Sequence, residues 1–285
     1  MNLFKFPIPN FNDKSKSTIF WRHMRFYSRK FLYYPQVKFL EKTLNMKGNE
    51  HLKNFFSNRP DACYNATRRF CDKSFSANER VKTLIYDVNK GLESFKFLPQ
   101  DQIIFKFDED FELYLGSNRH VSEEGFWALS LRYQNAPIEQ CCFCFTLDNK
   151  LLISCIQGYQ YSDFNVLDIN KIFTKKCYGL RPIALLIECI KMLCVSLKLD
   201  ATLGVHEKNQ IRSQKGEDKG YFVDYQKIWL ENGGKLVKIN NHLYYELSHK
   251  RKNLEEIPSS KRSMYKKRFA ILEEIKQALD QSLFI

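Results

Sequence analysis

The chain has 285 residues, 44% of them hydrophobic, with 45 Lys+Arg against 32 Asp+Glu for a formal charge of +13. That apolar share excludes wholesale disorder, and the length allows one large domain or two modest ones. No apolar run is long enough to span a bilayer, and Lys5, Pro7 and Pro9 interrupt the place where a signal peptide needs its apolar stretch. A cytoplasmic protein without a transmembrane segment is expected.

Charge is unevenly placed. Residues 1–100 carry 19 Lys+Arg against 8 Asp+Glu, whereas residues 101–250 carry 18 against 19 and residues 251–285 carry 8 against 5. A basic N-terminal third on a near-neutral remainder favours an anionic partner: membrane headgroups, nucleic acid or an acidic carrier protein. The nine cysteines form no Cys/His set at zinc spacing. No metal site is expected, and reduced core thiols are. Cys177 stands apart because neighbouring lysines favour its thiolate.

Taken in order, residues 1–20 read as irregular. Between Trp21 and Leu44, Trp21, Phe26, Tyr27, Phe31, Tyr33, Tyr34 and Phe39 interleave with Arg22, Arg25, Arg29, Lys30 and Lys38. Two helical pieces broken at Pro35 account for this pattern. Two readings stay open: an interfacial helix lying on anionic membrane, or a helix packed by its aromatics with its basic face in water. Further helices are expected over residues 59–75 and 78–93, the latter capped by Asn78.

The pattern changes near Gln102. Residues 103–107, 111–115, 127–133 and 141–147 alternate as strands between turn signals, and residues 151–157 follow as a buried strand ending at Gly158. The basic, glycine-bearing turn over residues 173–181 then leads into a helix starting at Pro182, with Ile183, Leu186, Ile187, Ile190, Leu193, Cys194 and Leu197 on one apolar stripe. A strand over 201–205, a polar loop over 206–220, a short helix over 221–230 and a hairpin around Asn240–Asn241 follow. Residues 257–262 cap a C-terminal helix. The expected class is α+β: a mixed, mostly antiparallel sheet with a central crossover helix, preceded by a helical region. The expected divisions are a basic N-terminal region over 1–100, an α+β domain over 101–250 and a packed C-terminal helix over 251–285.

The turn before Pro182 presents helix N–H groups beside Lys175, Lys176 and Arg181, an arrangement suited to a phosphate. Three solvated cations on an ordinary crossover are the plain alternative. Gln157 and Gly158, with Tyr178, Gly179 and Leu180, complete the anion-binding set. For proton transfer, His206 ends a strand of the expected cleft, Asp224 either orients a base or caps a helix, and Tyr225 either protonates a leaving group or belongs to the core.

Several stretches together resemble the VirK/YbjX family of Gram-negative bacteria: Ile156-Gln-Gly158, Thr174-Lys175 with Gly179-Leu-Arg-Pro182, Asp224-Tyr225 with Trp229 and Gly233-Gly234, and Ile257-Pro258 with Lys261-Arg262, Tyr265 and Arg268. Ser259-Ser260 departs from the family pattern, which usually has a Lys there. The resemblance implies a part in virulence and in resistance to antimicrobial peptides, and it implies no catalytic residues. The element order is also similar to that of the GNAT acyltransferase fold, whose loop after the fourth strand cradles the pyrophosphate of acyl-CoA. The matching loop, Lys176 to Arg181, keeps one glycine where that fold has a run, and Arg181 stands where a small residue is usual. This resemblance implies no tightly held cofactor, with acyl-CoA or an acyl-carrier protein as donor substrate.

Three function classes follow. The first is a cytoplasmic acyltransferase acting on an envelope lipid or protein, peripheral at the inner face of the inner membrane. The second is a non-catalytic regulatory or chaperone-like module, and the third a nucleic-acid-binding protein. The last is not favoured, since no helix-turn-helix, RNP or zinc-finger pattern occurs.

Overall fold

The computed structural model describes residues 3–11, 16–96, 100–118, 121–213 and 223–284. Helices α1 (Lys16–Leu32) and α2 (Tyr34–Leu44) meet at Tyr33, with Pro35 in the first turn of α2, where its missing N–H leaves no helical bond unmade. Next come α3 (Glu50–Asn58), the single turn α4 (Pro60–Cys63) and a 3-10 turn at Tyr64–Ala66. The single helix expected over 59–75 is therefore replaced by short pieces. The reason is tertiary: Cys71 takes a φ of 55° and its amide bonds to Glu123 O at 2.8 Å, away from any helical partner.

Helix α5 (Ala77–Ser94) is capped by Ser76, not by Asn78. The Ser76 hydroxyl accepts from the Glu79 amide at 3.2 Å and the Glu79 carboxylate accepts from the Ser76 amide at 2.8 Å, a reciprocal box that Asn78 cannot form. Buried Asp87 fastens α5 to the sheet, accepting the Trp127 indole N–H at 2.9 Å and the Phe145 amide at 2.8 Å. Burial pushes its carboxyl well above the usual carboxylate range.

The strands are β1 (Gln102–Lys106), β2 (Phe111–Ser117), β3 (Trp127–Tyr133), β4 (Ala136–Phe145), β5 (Leu151–Gly158), β6 (Thr202–Val205), β7 (Gly234–Ile239) and β8 (His242–Leu247). They form one sheet in the order β1-β2-β3-β4-β5-β6-β8-β7. Every pairing is antiparallel except β5 with β6. The α+β class with a mostly antiparallel sheet is thus as expected from sequence. Asn240 and Asn241 both take positive φ, 48° and 69°, as the tight turn between β7 and β8 demands.

The crossover from β5 to β6 holds two helices, where sequence led us to expect one. Asn165 caps α6 (Val166–Lys176), its side chain accepting from the Leu167 amide at 3.0 Å. Tyr178 (φ 52°) and Gly179 (φ 78°) end it, and the Gly179 amide returns to Thr174 O at 2.7 Å. Helix α7 (Pro182–Ser196) follows, apolar nearly all round because it lies between the sheet and α9 (Ser259–Gln281). Between β6 and β7 sits α8 (Tyr225–Glu231). The expectation of a helix starting at Tyr221 falls partly on residues 214–222, outside the described residues.

Candidate functional site

Strands β5 and β6 run side by side only through Leu151↔Thr202, Leu152↔Leu203 and Ile153↔Gly204. Beyond that register β5 continues to Gly158, paired with β4 alone. The chain therefore opens a notch at the carboxyl end of its parallel pair, the usual location of a ligand crevice in sheets with crossover helices.

Helix α8 fills the base of that notch. Buried Tyr225 accepts the Ile156 amide at 3.0 Å and donates to Ile156 O at 3.4 Å, taking the place of a strand partner. Trp229 donates its indole N–H to Val205 O at 2.8 Å, and its ring lies where a Cβ on Gly204 would come within 2.6 Å. Only glycine fits there. Asp224 caps α8, accepting from the Lys227 amide at 3.0 Å. Tyr225→Phe is expected to cost about 1–3 kcal/mol, because it leaves the Ile156 amide buried without its hydroxyl acceptor. Urea unfolding of the pair measures this, and an unchanged midpoint would remove Tyr225 from the strand-filling role.

His206 follows β6 at the same end and is buried. Its Nδ1 accepts from the Lys208 amide at 3.2 Å, so the neutral ring carries its proton on Nε2, 3.4 Å from Glu207 Oε1. The ring stacks on Tyr245 at 6.0 Å.

The pleat separates Gln157 from Gly158. Gln157 pairs with Gln140, which continues a row through Ser130 to Tyr114. Gly158 pairs with Glu139 on the opposite face, where α6 lies. Glu139 was missed in the sequence. It is buried, accepts from Asn170 Nδ2 of α6 at 3.1 Å, and leaves Oε2 without a partner. Asn170 Oδ1 is likewise buried and unpartnered. Two such acceptors are suited to a proton, a water or a ligand's N–H or O–H. Burial pushes the Glu139 carboxyl up to about 7, and the Asn170 bond only partly offsets that. Gly158 itself is exposed, and a Cβ there would stand 3.5 Å from each Glu139 oxygen. The available signal was a lone carboxylate inside the apolar run from Ile138 to Phe145.

The basic turn is built differently from expectation. Lys175 and Lys176 belong to the last turn of α6, where cations complement the negative end of that helix, not to a loop facing the start of α7. Lys176 pairs with Asp108. Leu180 is buried, and Gly179 serves the termination of α6. Helix α9 closes over this turn: Arg268 donates to Tyr178 O at 2.7 Å, and Lys267 lies over the Tyr178 ring at 5.5 Å. Arg181, the N-cap of α7, projects into solvent with Glu231 at 3.8 Å. Cys177 is buried, which pushes its thiol up to about 12 despite Lys176. It is therefore a thiol at neutral pH.

The matches among known proteins cover nearly the whole of this architecture. Residues 15–281 match the family of proteins of unknown function DUF535. The chain belongs to that family. It is similar to an uncharacterized protein of Haemophilus influenzae, 32% identical over 92% of this chain and 89% of the relative. It is also similar to the membrane protein LapB of Mannheimia haemolytica, 33% identical over 74% of this chain and 96% of that one. The uncharacterized protein YbjX of Escherichia coli is 30% identical over 36% of this chain and 32% of its own length, in line with the VirK/YbjX resemblance. No solved structure matches significantly. Among the described residues no helix is long and apolar enough to cross a membrane.

Proposed function

We propose that this DUF535 protein transfers an acyl group from acyl-CoA or an acyl-carrier protein to an amine or hydroxyl of an envelope lipid or protein, at the notch beside Gly158. The observation that carries this reading is Glu139, a buried carboxyl with one unpartnered oxygen next to an exposed glycine. Such a group, half ionised near neutral pH, is matched to taking a proton from an attacking nucleophile. The acceptor's N–H or O–H proton passes to Glu139 Oε2 as its N or O bonds the thioester carbonyl carbon. The C–S bond then breaks, and the leaving thiolate takes the proton back. Asn170 holds the carboxyl in place, while Asp224 and Tyr225 support the wall as cap and filler. Arg181, with Lys175 and Lys267 nearby on the same basic flank, supplies the charge that an anionic donor needs. The GNAT-like element order supports the same reading, with one parallel strand pair joined by the crossover.

The test is incubation with acyl-CoA and with acyl-carrier protein, followed by mass spectrometry for thioester consumption. Turnover is expected, and Arg181→Ala is expected to raise KM for the donor about tenfold with kcat little changed, as for loss of one charge-assisted contact. The cover of α9 over the Tyr178–Gly179 turn favours a second reading, a non-catalytic module that retains the fold. No turnover with either donor would select it.

A further inference from the structure

Helix α1 carries its side chains in an arrangement that the notch does not use. Phe20, Met24, Tyr27 and Phe31 recur at helical spacing and are all exposed, Phe31 at 85%. Round the same helix, Trp21, at 68% exposed, and Leu32 lead to a second stripe of Arg22, Arg25 and Arg29. Buried Phe26 lies beyond it, holding α1 to the body through Phe6 and Tyr64.

The arginine stripe is not an ordinary solvated face. Arg22, Arg25 and Arg29 line a cavity of about 410 Å³ together with Arg68, Phe11, Phe26 and Thr67. Four arginines thus line one cavity, Arg22 over the Phe11 ring at 5.7 Å and Arg68 over the Tyr64 ring at 5.5 Å, and among the described residues no carboxylate pairs with any of them. Arg29 is half-buried, and burial, followed by the charges of Arg68 and Arg25, works against its protonated form. Like charges held this close repel unless an anion lies between them. A phosphate accepts paired N–H bonds from guanidinium groups in the geometry arginine presents.

We propose that α1 is a membrane-docking helix that lies on an anionic phospholipid surface, its aromatic face in the headgroup layer and a headgroup phosphate seated among Arg22, Arg25, Arg29 and Arg68. The apolar stripe and the uncompensated cations share one helix, and that pairing distinguishes a bilayer surface from either a free phosphate or a protein partner. Nucleic acid would use the arginines but leave the aliphatic members, Met24 and Leu32, without a role. The surface stands apart from the notch and does not depend on acyl transfer.

Tryptophan emission tests this directly. Of the three tryptophans, Trp127 and Trp229 are wholly buried, so the vesicle response belongs to Trp21. The intact chain is mixed with vesicles of phosphatidylcholine alone and of phosphatidylcholine with phosphatidylglycerol. The expected result is a blue shift with the anionic vesicles only, reversed by added salt and absent in Trp21→Phe. Arg25→Gln with Arg29→Gln is expected to weaken binding about 30-fold, at roughly fivefold for each cation near an anionic surface. Phe20→Ser with Phe31→Ser should also release the protein, with thermal melting unchanged for both pairs because these side chains are exposed or half-exposed. Equal binding to neutral vesicles would overturn the proposal, as would binding indifferent to the arginine pair. So would a single-stranded oligonucleotide that displaces the vesicles.

Discussion

Glu139→Gln is expected to lower the proposed acyl transfer by a factor of about 10²–10⁴, the usual contribution of a positioned proton acceptor, and to change how stability depends on pH. The carboxyl lies at about 7 in the folded chain against 4.5 for the ordinary side chain. Between those values the folded state binds more protons than the unfolded state, so unfolding free energy falls as pH rises through that window. The stabilisation is complete below the ordinary value and lost above the folded one, amounting to an upper bound on the order of 3 kcal/mol. Glutamine keeps an oxygen for Asn170 Nδ2 and adds a donor where none stands, so the variant should lose this part of the slope. Asp87, Asp72 and Glu124 are also pushed up by burial and contribute slopes of their own. The informative quantity is therefore the difference between wild type and variant in urea melts near pH 5 and pH 8. Parallel behaviour across that range would mean that Glu139 is already ionised, and the proton-transfer role would go with it.

Trp229→Ala should cost about 3–5 kcal/mol, the range for truncating a buried large aromatic side chain. The ring is fully buried, seals the base of the notch and donates to Val205 O at 2.8 Å. Gly204→Val should fail for the complementary reason, since even its Cβ would fall 2.6 Å from the indole. Combining the two removes the clash and refills part of the cavity, so the double variant is expected to be more stable than the sum of the single losses allows. Thermal or urea unfolding of the four proteins in this cycle gives the coupling directly. Strict additivity would show that Trp229 and Gly204 do not share the space ascribed to them.

Local periodicity and punctuation were enough for much of the frame. The alternation in β1 to β3, the break at Pro35, the start of α7 at Pro182 and the paired asparagines of the last hairpin all rest on interactions within a few residues. The basic character of the N-terminal third was equally plain, but its consequence was not. That Arg68 joins three arginines of α1 around one cavity depends on a contact across some forty residues of chain, which no window of sequence contains.

Other features required the folded partners. Lys175 and Lys176 read as loop because their charge hid the helix that Asn165 starts and Gly179 ends. Helix α9 reaches the Tyr178 turn through Arg268, ninety positions further along, and so closes a corner that had looked open. Glu139 looks ordinary in one dimension, and only the register that sets it beside Gly158, with Asn170 above, buries it and removes its donors. By itself the sequence determined most of the strands, the helix starting at Pro182, the α+β class and the family, because these follow from side-chain spacing and backbone preference. The tertiary structure decided which polar groups are left dry and unpaired, because burial is a property of neighbours brought from elsewhere in the chain.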